Sequence, residues 1–138
     1  MNYIIWALVA MLGYTLVAPL MKVALVEVPS TVAVLVSNTI LVTAAVAVVA
    51  ATESDPLTYL SSPKMLYVVA AGLCLAVGIL AYYRALELGP ISVVVPIFAM
   101  FIVTSSVVGI LFLEEVLTLR KGLGIVLGMA AVYLSATG

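Results

Sequence analysis

Five basic and six acidic residues divide the chain into five long stretches that contain no charged side chain. A hydrocarbon core of about 30 Å is crossed by about 20 helical residues, at about 1.5 Å each. Each stretch therefore suits one membrane-spanning helix and is too short for two, with Leu119 extending the apolar reach of the last. The stretches are residues 1–21, 28–52, 65–83, 88–113 and 122–138.

The composition excludes a soluble domain. Hydrophobic residues make up 67% of the chain and charged residues 8%. In soluble domains, about 45–50% of the residues are apolar and about 25% are charged. A transmembrane β-barrel needs alternation of apolar and polar residues, which the segment 44–51 lacks. We therefore predict an all-α membrane protein with five transmembrane helices in a bundle, forming a single domain over residues 1–138. We expect the first stretch to remain in the mature protein as a helix. A signal peptide begins with a basic region, and this stretch contains no Lys or Arg.

Charge and residue usage also exclude several functional classes. A net charge of -1 does not suit a nucleic-acid partner. With no His and one Cys, His-based catalysis, zinc sites and disulfide frameworks are not expected. No embedded acid–base pair is evident. We predict a protein that is not an enzyme, that needs no metal or cofactor, and whose partners are the lipid bilayer and a small molecule.

Polar residues and prolines within the stretches are candidates for substrate binding. Asn38 lies mid-stretch, and its amide either joins helices or contacts a substrate. The two adjacent tyrosines of the third stretch either anchor the chain at the membrane interface or, for one of them, face a cavity. An interior proline kinks a helix and is a pointer to a transporter's binding site. The candidates are Tyr14, Asn38, Tyr82, Tyr83, Pro96 and Ser105.

Charged residues at the stretch ends are candidates for ion pairs or gating. Arg84 and Glu87 are three positions apart and can pair on one helical face. The full candidate set is Lys22, Arg84, Glu87 and Glu114.

The distribution of basic residues specifies the orientation only weakly. Lys64, Arg120 and Lys121 fall on the side of the N-terminus, and Lys22 and Arg84 on the other. Basic loops stay inside, so an inside N-terminus is favoured by one charge, and insertion in both orientations is compatible with the count.

Particular segments resemble the EamA family of the drug/metabolite transporter superfamily. Trp6, Gly13 and Lys22 resemble its first helix. The segment AYYRALELGPISVVVPIFAM resembles its junction between the third and fourth helices. The segment LFLEEVLTLRKGLGIVLGMAAVYLSA resembles its closing motif, in which the family glutamate corresponds to Glu114 or Glu115.

This resemblance implies a five-helix unit that is one half of an inverted-repeat transporter. Most family members join two inverted units and move small metabolites such as amino acids, nucleotide precursors or sugars, often outward. With one unit, the chain is predicted to be an exporter or exchanger of a small metabolite in the cell membrane, working by alternating access as an antiparallel homodimer. The Gly124–Gly128 spacing offers either packing within the chain or a dimer contact.

Three other functions remain as alternatives. The small multidrug resistance family also pairs short chains, but it relies on an acidic residue in helix 1 and has four helices, and residues 1–21 contain no carboxylate. A lipid-carrier flippase and a non-transporting membrane scaffold subunit are the others. Pro19 and Pro96 favour a carrier over a scaffold.

Overall fold

The computed structural model describes residues 2–53, 55–112 and 118–137. These residues are almost entirely helical, and the described part of the chain contains no strand. The elements are α1 (Asn2–Thr15), α2 (Val17–Ala24), α3 (Ser30–Thr52), a 3₁₀-helix (Pro56–Ser61), α4 (Met65–Leu88), α5 (Ile91–Phe112) and α6 (Leu119–Thr137).

Four helical stretches of the described chain are long and apolar enough to cross a membrane. They are Tyr3–Ala24, Ser30–Thr52, Met65–Leu88 and Ile91–Phe112, and they fall on the first four uncharged stretches of the sequence. The prediction of an all-α protein with several membrane-spanning helices is confirmed for the described residues, whereas the count of five such helices stays a prediction. The fifth uncharged stretch is also helical, as α6, but it is not among these four spans.

The first span is interrupted at Leu16, between α1 and α2. Pro19 explains the position of this break. Proline has no backbone N–H and its ring collides with the carbonyl four residues earlier, which here belongs to Thr15, the last residue of α1. By contrast, α5 continues through Pro96, so a kink at Pro96 stays a prediction.

The described helices form two compact units. One unit, Leu20–Glu87, contains most of α2 together with α3 and almost all of α4. Its buried apolar residues include Leu25, Ala33, Val34 and Leu86, and Leu86 is completely buried. The buried residues of α4 all lie near its C-terminal end.

The other unit combines Met1–Pro19 with Leu88–Gly138. In it α5 packs against α6. A Cβ added to Gly128 would lie 3.3 Å from Cγ2 of Val103, whereas one added to Gly124 would meet nothing within 4 Å. Gly128 therefore serves packing within the chain, as expected for small residues between membrane helices.

The different surroundings of the two glycines predict different responses to substitution. Gly128→Ala should be less stable than Gly124→Ala by about 1–2 kcal/mol, because only the first overpacks the α5–α6 contact. Both changes carry the same gain in helix propensity, so each is the matched control for the other. Unfolding of the purified protein in detergent by increasing denaturant measures the difference, and equal stability would contradict the packing described.

Candidate functional site

An open groove of about 470 Å³ runs between α3 and α4 within the Leu20–Glu87 unit. Its volume lies in the range of about 300–1,000 Å³ that is usual for small-molecule sites. Most of the surface is aliphatic, and the polar contribution comes from α3. The lining residues are Val34, Leu35, Asn38, Thr39, Val42, Thr43, Ala76, Ile79 and Leu80.

The polar side chains of this groove bond to the backbone of their own helix. Asn38 Nδ2 donates to the carbonyl of Val34 over 2.9 Å. Thr39 Oγ1 donates to the carbonyl of Leu35 over 2.7 Å, and Thr43 Oγ1 to that of Thr39 over 2.8 Å. This back-bonding is how isolated hydroxyls are satisfied in a helix. The side chains can therefore remain at mid-span depth in the absence of a ligand.

A second polar arrangement lies at the C-terminal end of α4. Nζ of Lys22 donates to the carbonyl of Leu86 over 2.6 Å. Because α4 ends at Leu88, this carbonyl is one of the last four of the helix, which have no partner within it. A cation at this end also interacts favourably with the helix dipole. Lys22 thus links the end of α2 to the end of α4.

Glu87 links the same end of α4 to the start of α3. Its carboxylate accepts hydrogen bonds from the hydroxyl and the backbone N–H of Ser30, the first residue of α3. It also pairs with Arg84, with 2.7 Å between Nη1 and Oε2. A carboxylate at a helix N-terminus satisfies free N–H groups and interacts favourably with the dipole. We call Lys22, Ser30, Arg84 and Glu87 the α4-end cluster.

Both tyrosines near this end are buried. The side chains of Tyr82 and Tyr83 are 9% and 3% exposed, and their ring centroids lie 6.0 Å apart. That at most one of them faces a cavity stays a prediction, because burial of a ring is a different property. Leu86 lies four residues after Tyr82 and three after Tyr83, and these spacings place the three side chains on one broad helical face. That spacing was the signal for burial of both.

The predicted site residues are only partly brought together. Asn38, Lys22, Arg84, Glu87, Tyr82 and Tyr83 all belong to the Leu20–Glu87 unit. Tyr14, Pro96 and Ser105 belong to the other unit; Tyr14 is 71% exposed, and Ser105 Oγ donates to the carbonyl of Ile102 over 3.1 Å. Glu114 and Glu115 lie outside the described residues.

Three residues of the groove and the cluster are not among the candidates from the sequence: Ser30, Thr39 and Thr43. The bond of Ser30 to Glu87 depends on where the start of α3 lies relative to the end of α4. Thr43 follows Thr39 by four residues, a spacing that places both on one helical face. Within the parts of the chain that the structure describes, no group of three or more potential metal ligands comes together.

Comparison with known proteins identifies relatives of the chain. The model of the EamA-like transporter family matches residues 1–137. A protein of Sinorhizobium sp. named "Uncharacterized transporter in cobO 3'region" is 32% identical over 132 residues, which is 95% of this chain and 94% of the relative. No solved structure matches the chain.

The bonds of Glu87 predict a stabilising role for this carboxylate. Glu87→Ala should lower the free energy of unfolding, because it leaves the buried hydroxyl and the N–H of Ser30 without their acceptor. Unfolding of the protein in detergent micelles measures the change. Glu53→Ala is the matched control, since Glu53 is an exposed carboxylate beyond the end of α3 and its loss should change stability by less than about 0.5 kcal/mol. Similar losses in the two variants would argue against the α4-end cluster as a stabilising contact.

Proposed function

The chain belongs to the EamA-like transporter family and is a multi-pass membrane transporter; on this premise we propose that it carries a small metabolite across the cell membrane by alternating access, as an exporter or exchanger. The observation that carries the proposal is the groove between α3 and α4, where Asn38, Thr39 and Thr43 place polar atoms at mid-span depth. Transporter binding sites lie near the bilayer midplane. A protein that only holds neighbours together has no need of an open groove with polar atoms at that depth.

The proposed functional unit is an antiparallel homodimer of five-helix halves. Helix α6 has 19 residues and is about 28 Å long at about 1.5 Å per residue, which suits a fifth crossing. Two copies inserted in opposite senses would then supply the inverted repeats seen in many transporters. The charge count of three basic residues against two is compatible with both orientations. A curated relative whose sequence is matched over 94% of its length also carries the name of a transporter.

The α4-end cluster is the proposed gate at one end of the groove. It lies beyond Leu80, the last groove residue on α4, and it ties α2, α3 and α4 together through Lys22 and Glu87. Alternating access requires contacts that hold one end closed and that break when the other end closes. The pair of Arg84, which is exposed, and Glu87, which is half-buried, suits this role, because solvent-accessible ion pairs hold only weakly.

Efflux from proteoliposomes tests the transport proposal directly. Purified protein is reconstituted in vesicles loaded with a panel of labelled alcohols, primary amides, polyols, amino acids, monocarboxylates and amines. Release or counterflow of at least one class, above that of protein-free vesicles, is the expected result. No movement of any class by folded protein would support the scaffold alternative instead.

Substitution of Asn38 is expected to weaken substrate binding. Asn38→Ala should raise the apparent KM about threefold to tenfold, as expected for one polar contact in a membrane protein, with little change in the amount of folded protein. Ser135→Ala is the control, because Ser135 also bonds only to a carbonyl one turn back on its own helix and lies outside the groove. Equal KM values for the two variants would place the substrate elsewhere.

Orientation in the membrane tests the dimer. A Thr137→Cys change on a Cys74→Ser background places the introduced thiol at the end of α6. Labelling of sealed cells with an impermeant maleimide, before and after permeabilisation, should show access from both sides. Access from one side only, in protein that still transports, would exclude the antiparallel pair. The Cys74→Ser protein without the new thiol provides the blank.

A further inference from the structure

The hydrogen-bonding character of the α3–α4 groove narrows the chemistry of the substrate. The hydroxyl hydrogens of Thr39 and Thr43 are directed at backbone carbonyls of α3. Each hydroxyl oxygen keeps lone pairs that can accept a further bond. Asn38 uses one amide hydrogen on the carbonyl of Val34, which leaves its carbonyl oxygen and one hydrogen. The groove therefore offers mainly acceptors to a ligand.

The groove also offers no charge to a ligand. Among the described residues that line it, every polar side chain is neutral. Arg84 lies one turn beyond Leu80 on α4, but its guanidinium is paired with Glu87 at 2.7 Å. An ion placed at mid-span without a counter-charge carries a large desolvation cost. The groove is therefore unfavourable for both anions and cations.

From these features we infer that the groove binds an electrically neutral solute with an apolar body and at least one hydrogen-bond donor, such as a primary amide or an alcohol. This inference rests on the proposed transport function and specifies its substrate class. The aliphatic side chains of Val34, Val42 and Ile79 contact the apolar body. The donor bonds to the oxygens of Thr39 and Thr43, and a primary amide also bonds reciprocally to Asn38.

A small solute fits this groove better than the other occupants that a membrane offers. A lipid acyl chain has no donor for the oxygens of Asn38, Thr39 and Thr43, which would gain nothing from its presence. A neighbouring α3 of a second copy would present the same back-bonded threonines, whose hydrogens are already committed to their own helix. The volume of about 470 Å³ suits a small molecule.

Four probes that share one phenyl ring distinguish the effect of a hydrogen-bond donor on binding from the effect of charge. Benzamide is neutral and carries a donor, methyl benzoate is neutral without a donor, benzoate is an anion, and benzylammonium is a cation. Binding of tritiated benzamide to the purified full chain is measured by scintillation proximity, and the other three compete as unlabelled ligands. We expect saturable benzamide binding and at least tenfold weaker competition by each of the other three. Competition by benzoate or benzylammonium equal to that of unlabelled benzamide, or no saturable binding, overturns the inference.

Matched threonine variants localise the binding to the groove. Thr39→Val and Thr43→Val keep the side-chain shape and remove the acceptor oxygen, and each should weaken benzamide binding about threefold to tenfold. Thr52→Val removes the same type of back-bonded hydroxyl from α3 outside the groove and should leave binding unchanged. Equal effects of all three changes, or none from the first two, would remove the groove as the site.

The two proposals can fail separately. Efflux of panel solutes from proteoliposomes without benzamide binding would overturn the substrate class and leave transport standing. Specific benzamide binding that depends on Thr39 and Thr43, together with no efflux of any solute, would leave the groove assigned and contradict the transport proposal.

Discussion

The absence of water from the bilayer core is the constraint on which the rest of this structure depends. Every polar group at that depth must find a partner inside the protein. The backbone does so by forming helices, which is why valine-rich segments such as 44–51 are helical despite their strand propensity. The side chains follow the same rule, since Thr15, Asn38, Thr39 and Thr43 all bond to carbonyls one turn back on their own helix.

Helix ends are where this local solution fails, because the first N–H groups and the last carbonyls have no partner in the helix. In the Leu20–Glu87 unit two charged residues supply such partners. Lys22 bonds to a carbonyl near the end of α4, and Glu87 accepts from the start of α3. Lys22 and Glu87 thus lie where helices from distant parts of the sequence meet, and their bonds stabilise the unit.

The helical segments were predicted well from the sequence, because the length of an uncharged apolar segment can be read locally. The thickness of the bilayer sets the length that a spanning helix needs. The sequence also predicted the Arg84–Glu87 pair, because i,i+3 geometry is local. The bond from Glu87 to Ser30 depends on where the start of α3 lies relative to the end of α4, which no single segment encodes. The spacing of Tyr82 and Tyr83 to Leu86 is local to α4, but the residues that cover this face are not. The same holds for Gly128, whose spacing to Gly124 was recognised but whose contact with Val103 required the partner helix.

The bond between Lys22 and Leu86 spans 64 residues of sequence, and this has a consequence for biogenesis. The end of the first span and the end of the third must lie on the same side of the membrane for the bond to form, so the second span must cross between them. If one of these three helices is inserted in the wrong direction, Lys22 and Leu86 lie on opposite sides of the membrane and the bond cannot form. The bond is therefore compatible only with an arrangement in which the first three spans alternate in direction.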